Sequence, residues 1–126
     1  MLRVTASTQR QFGARKFMVS RVGRETFSEI VRRILAVATP QKIVLFGSRA
    51  RGDHRPDSDI DILVIADSAL PRHRRSIPLY AALADLSLDV DTEVVVYTPA
   101  EVEEWRGAGA AFVTTALREG TVLYEG

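Results

Sequence analysis

Two aspartates, Asp59 and Asp61, flank a single isoleucine at the head of an isoleucine-rich run. In an extended strand, side chains two positions apart share a face about 6 to 7 Å from one another, so both carboxylates are presented together. Like charges that close need solvent, a base or a divalent cation between them, and a donor pair made only of oxygens suits Mg²⁺ or Mn²⁺. Taken alone, an Asp-x-Asp pair is most often just solvated. Upstream, however, Lys42 to Phe46 is a short β-branched and aromatic run that ends directly on Gly47-Ser48. Gly47 lets the chain turn sharply and approach a ligand closely, and Ser48 opens a short helix, Arg49 to Gly52, whose free N–H groups suit a phosphate. A Gly-Ser turn is common in its own right. Joined to Asp59 and Asp61 across a short loop, it describes a phosphate cradle facing a pair of metal-binding carboxylates. Arg49 and Arg51 stand where a guanidinium can offset phosphate charge, with at most one of them facing the ligand.

The elements that must hold these residues follow from the hydrophobic pattern. Phe27, Ile30, Val31, Ile34, Leu35 and Ala38 form one stripe, which predicts a helix opening at Thr26 and ending near Pro40, with Thr26 and Glu29 at capping-box spacing. Lys42 to Phe46 and Asp59 to Ile65 read as strands, the second central because its apolar residues fall on both faces. Pro71 to Leu86 reads as a helix with Pro78 as a kink or restart. A strand over 89–97, a short acidic helix from Pro99 to Trp105, a helix from Ala108 to Arg118 stopped by Gly120, and a last short strand at Val122 to Tyr124 complete the order. The expected architecture is α/β, a small mixed sheet of three or four strands with helices packed against it.

At 126 residues, with 46% hydrophobic and 26% charged residues, the chain has room for one core. It contains no cysteine, which excludes disulfides, thiolate zinc sites and a cysteine nucleophile. Neither a membrane span of about 20 apolar residues nor an apolar signal core is present, so a cytoplasmic protein with no membrane partner is expected. The net charge of +1 hides a split: residues 1–75 carry 15 basic and 7 acidic side chains, whereas residues 76–126 carry 2 and 9. The first 25 residues form a basic, partly ordered arm, and the Arg72, Arg74, Arg75 cluster together with it predicts a positive rim around the turn. Only Phe12 and Phe17 interrupt the arm, which argues against nucleic acid as the partner. His54 and His73 have no partner in the sequence and read as surface residues. Trp105, Tyr80, Tyr97 and Tyr124 read as core or rim.

The string Gly47-Ser48-Arg49-Ala50-Arg51-Gly52 followed by Pro56-Asp57-Ser58-Asp59-Ile60-Asp61 resembles the DNA polymerase beta-like nucleotidyltransferase superfamily. Within that superfamily it is similar to the minimal nucleotidyltransferases, the MNT antitoxins that accompany HEPN toxins. The likeness covers residues 26–126 and leaves out the arm. The resemblance implies a nucleotidyltransferase fold, ATP as substrate, Mg²⁺ as cofactor with Mn²⁺ as the alternative, and Gly47, Ser48, Arg49 and Arg51 as nucleotide-binding residues. It further implies AMP transfer to a hydroxyl, a tyrosine, of a HEPN-domain toxin, with homo-oligomers left open. The alternative is a non-catalytic antitoxin or binding module that neutralises its partner by complex formation. The family pattern also asks for a third acid, normally aspartate, before a hydrophobic strand. Aligning Val94 to Pro99 with it puts Glu93 there beside Asp59 and Asp61 as catalytic and metal-binding residues, with Asp91 as the rival.

Overall fold

The computed structural model describes residues 22–88, 90–107 and 111–126. The expectations for the basic arm up to residue 21, for Asp89 and for the start of the last helix at 108–110 lie outside the described residues. Four strands, β1 (Lys42–Phe46), β2 (Ile60–Ile65), β3 (Thr92–Tyr97) and β4 (Thr121–Glu125), form one mixed sheet in the order β3-β2-β1-β4. β1 runs antiparallel to both β2 and β4, whereas β2 and β3 are parallel. The helices are α1 (Arg24–Val37), α2 (Ser48–Arg51), α3 (Ile77–Leu83), α4 (Pro99–Glu104) and α5 (Phe112–Glu119), with a 3₁₀ turn at Arg72–Arg74.

β2 is central, as its pattern requires: Ile60, Ile62, Leu63 and Val64 are fully buried. Alternation sends them to two different cores. On one face, Ile60, Ile62 and Val64 join Ile43, Leu45, Val94 and Val96 under α1 and α3, where Ile30, Ile34, Leu79 and Leu83 fill the layer. On the other, Leu63 and Ile65 meet Val44 and the Val113 and Ala116 side chains of α5. Each fully buried isoleucine or leucine contributes about 1.5 to 3 kcal/mol, which makes β2 the least replaceable strand. By the same alternation, Asp61 and Glu93 emerge on the α5 face.

Two expectations about helix ends are corrected. α1 starts two residues earlier than Thr26, so Thr26 sits inside the first turn and its Oγ1 accepts from the Gly23 N–H (3.4 Å), while Glu29 pairs with Arg32 and Arg33 rather than capping. The reciprocal cap occurs instead on α4, where Thr98 Oγ1 accepts from the Glu101 N–H (3.2 Å) and Glu101 Oε1 accepts from the Thr98 N–H (2.9 Å). The helix expected over Pro71 to Leu86 is a 3₁₀ turn followed by a restart at Ile77, because Pro78 occupies the first turn, where its missing N–H costs nothing. Gly120 ends α5 as expected, and there a Cβ would strike the Ala116 and Leu45 carbonyls where the chain dives onto β1.

The Arg72, Arg74, Arg75 cluster does not frame the turn at Gly47. Arg75 donates to Glu101 Oε1 (2.7 Å) and to the Leu70 carbonyl (2.9 Å), and Arg72 reaches Glu101 Oε2 (3.4 Å) and lies over the Tyr97 ring. These contacts are at the C-terminal end of β2 and β3, away from Asp61, and Arg72 and Arg75 fix the β2–α3 connection to α4, while Arg74 is exposed. His54 and His73 are exposed, as expected. The Arg75 hydrogen bond, helped by the Thr98 N–H and by Arg72, holds the Glu101 carboxyl down at about 2. That contribution is complete above the ordinary carboxyl value and fades as the pH falls from about 4.5 towards about 2. Glu101→Gln is therefore expected to cost about 1 to 2 kcal/mol at neutral pH and to flatten the acid limb of stability across that window, measured by urea unfolding at a series of pH values.

Candidate active site

β1 delivers the chain to Gly47 with φ +78° and ψ −160°, a conformation in practice confined to glycine. The space above its Cα is taken as well: a Cβ there would run into Asp61 Oδ2. Gly47 therefore lets backbone and carboxylate touch. Its carbonyl then accepts from the Ala50 and Arg51 N–H groups (both 3.1 Å), which winds Ser48 to Arg51 into the single turn of α2. Ser48 heads that turn, next in the chain to the glycine that Asp61 crowds.

The β1–β2 register sets Phe46 opposite Asp61, and the parallel β2–β3 register sets Asp61 opposite Glu93. The Asp61 carboxyl is pushed above its ordinary value, first by burial, then by the charges of Glu93 and Asp59 and a hydrogen bond with Glu93, with Arg51 pulling the other way. Two carboxylates in hydrogen-bonding contact must share a proton or a cation. The structure thus brings Glu93, not Asp91, against Asp61. Asp91 is exposed and contributes its backbone carbonyl, which accepts from the Ile60 N–H (2.9 Å). Asp59 is exposed at the foot of β2, within electrostatic range of Asp61. Among the described residues no three acids or histidines are placed closely enough to grip an ion as they stand. The donor set itself, all carboxylate oxygen around a contact of like charges, suits a hard divalent cation.

The two arginines divide. Arg49 is committed to the loop: its Nε and Nη2 donate to the Ser58 carbonyl (3.0 and 2.9 Å) and Nη2 also to that of Pro56 (3.1 Å). Ser58 is tied again through its Oγ, which accepts from the Arg55 N–H (2.8 Å). These bonds fix the segment that delivers Asp59. Arg51, half exposed and loosely paired with Asp53 (3.3 Å), is the guanidinium whose charge reaches Asp61. The sequence reading placed both arginines at the turn with at most one facing the ligand, and nothing in Arg49-Ala50-Arg51 indicates which carbonyls lie within reach. It also did not single out the aromatic group on the same face, Phe46, Tyr97 and Phe112. The available signal was an aromatic at Phe112, just outside the buried stripe of Val113 and Ala116. A groove of about 740 Å³ between α4, α5 and the β1–β4 edge lies towards Lys42 and Ile65, the opposite end of the sheet, and Asp59, Asp61 and Glu93 do not line it.

Comparison with known proteins shows the family. The family described as nucleotidyltransferase domain matches residues 24–119. The chain is 35% identical over 92 residues to "Putative protein adenylyltransferase MJ0604" of Methanocaldococcus jannaschii, covering 67% of this chain and 78% of that protein. Among solved structures it is similar to a toxin-antitoxin with AMP-PNP (25% identity, TM-score 0.57, 79% of this chain and 73% of that one). It is also similar to a substituted form of the MntA-HepT toxin-antitoxin (26% identity, TM-score 0.55, 84% and 75%).

Two outcomes test the geometry. Gly47→Ala forces both the strained backbone and the clash with Asp61, and is expected to destabilise the protein by about 1 to 3 kcal/mol in urea unfolding. Glu93→Gln removes a like charge, so the Asp61 carboxyl, followed by ¹³C NMR titration without metal, is expected to drop towards its ordinary value while burial still holds it above. An unchanged Asp61 titration would show that the two acids do not interact.

Proposed function

Since the chain belongs to the nucleotidyltransferase domain family, we propose that it transfers AMP from ATP, with Mg²⁺ or Mn²⁺, to a hydroxyl, a tyrosine, on a HEPN-domain toxin, and so acts as the antitoxin of that pair in the cytoplasm. The observation that carries the reading is that a half-buried Asp61 and an exposed Glu93 face each other under the Gly47 turn: two acids with an unmet need for positive charge, beside a place for phosphates. Relatives that are toxin-antitoxin complexes, one of them with AMP-PNP, support both the partner and the nucleotide. No described helix is long and apolar enough to cross a membrane, in keeping with a partner met in solution.

Asp61 and Glu93 would hold the cation together with Asp59, and when bound it supplies positive charge to the phosphates and acidifies the attacking hydroxyl. The Ser48 turn and Arg51 bind the β- and γ-phosphates and orient the α-phosphate. Arg49 keeps the loop, and through it Asp59, in place. The acceptor oxygen bonds to the α-phosphorus, the bond to the bridging oxygen breaks, pyrophosphate leaves with its electron pair, and the hydroxyl proton passes to the acidic cluster. Glu93, where the resembled family has aspartate, favours a second reading in which the chain neutralises its toxin by binding alone.

α-Labelled ATP, Mg²⁺ and the HEPN partner separate the two. Transfer of label to a partner tyrosine, reduced about 100-fold or more by Asp59→Asn with Asp61→Asn, is expected. A toxin that stays unlabelled and is silenced equally by that double variant would replace the enzymatic reading with the stoichiometric one.

A further inference from the structure

On the proposed adenylyl-transfer reading, we propose that the exposed ring of Phe112 is the surface on which the base of the bound purine nucleotide stacks. Phe112 is 44% exposed although it opens a helix whose next residue, Val113, is 2% exposed and anchored in the core. It is nevertheless held in place, edge-on to Phe46 (ring centroids 5.1 Å apart, planes at 81°) and tilted beside Tyr97 (6.2 Å, 34°). A fixed aromatic ring with an open surface is what base stacking requires, because little conformational freedom is lost when the ligand arrives.

Its position relative to the acids gives the ring this role. Phe46 is the cross-strand partner of Asp61, and Glu93, Val95 and Tyr97 line one face of β3 in steps of two residues. From Glu93 to Tyr97 is about 13 Å, the scale on which a nucleotide extends from its phosphates to its base. Along that strip the Tyr97 ring is already covered, since the Arg72 guanidinium lies 4.7 Å from its centroid. Phe46 is partly buried. Of the exposed aromatics among the described residues, the Tyr80 hydroxyl is engaged by the Val94 N–H (2.7 Å), and no ring contact joins Trp105 to this group. Phe112 is the open ring of the trio.

The test is calorimetry on the full chain with Mg²⁺, using ATP and, as a probe with phosphates but no base, inorganic tripolyphosphate. Phe112→Leu, which keeps apolar bulk, is expected to weaken ATP about 10-fold while leaving tripolyphosphate unchanged, and Phe112→Tyr is expected to retain wild-type affinity for both. The fluorescence of 2-aminopurine riboside triphosphate should be quenched on binding to the wild type and not to Phe112→Leu. Equal ATP affinity in Phe112→Leu and wild type would overturn the stacking assignment and leave adenylyl transfer standing. Equal losses for ATP and tripolyphosphate would reduce Phe112 to a structural role. A wild-type chain that binds neither compound would overturn the adenylyl-transfer reading and the stacking surface together.

Discussion

A hydrogen-bonding contact between two acids, Asp61 on β2 and Glu93 on β3, is the interaction around which the rest of this molecule is arranged. Left to itself such a pair is repulsive, and partial burial of Asp61 strengthens the repulsion by thinning the water around it. The pair survives because the strands that carry it are held by forces indifferent to charge. Ile60, Ile62 and Val64 lock β2 beneath α1 and α3, and Leu63 and Ile65 lock it beneath α5. A slip of one residue would turn Asp61 into the α1 core and bring Ile60 or Ile62 out, so the hydrophobic register and the site are one constraint. Gly47 then closes on Asp61 from above, in a backbone conformation that other residues resist. The fold thus supplies a concentrated negative charge beside the Gly47 turn.

The arginines illustrate how little a charge count says about where charge acts. Among the described residues, several arginines of the basic half are occupied with construction. Arg33 pairs with Glu29 and Asp85 and joins α1 to the end of α3, Arg75 is nearly buried against Glu101, and Arg49 donates to loop carbonyls. Each of these guanidiniums bridges segments distant in sequence or shape, which its planar array of donors allows and an ammonium would do less well. Arg51 is the member of this set whose charge is directed at the acid cluster. Among the described residues, the charges acting on Asp61 are one half-exposed cation, Arg51, and the carboxylates of Glu93 and Asp59.

The sequence by itself determined the sheet, the centrality of β2 and the identity of the acid pair at its head. Period-two and helical patterns are local, and the Gly-Ser turn and Asp-x-Asp spacing are read within one stretch of chain. The family resemblance put Glu93 in the place of the third acid, with Asp91 as the rival. What the sequence could not contain was the parallel register that sets Glu93 opposite Asp61, because strand pairing is decided by packing across the whole sheet. For the same reason the capping box fell on Thr98 and Glu101 rather than on Thr26 and Glu29: spacing permits a cap, but only the point at which the chain leaves the core decides where a helix begins. The hydrogen-bond partners of Arg49 and the packing of Phe46, Tyr97 and Phe112 were likewise decided by tertiary contact. Side chains that meet across strands and loops leave no periodic trace, and their function exists only once the sheet has brought them together.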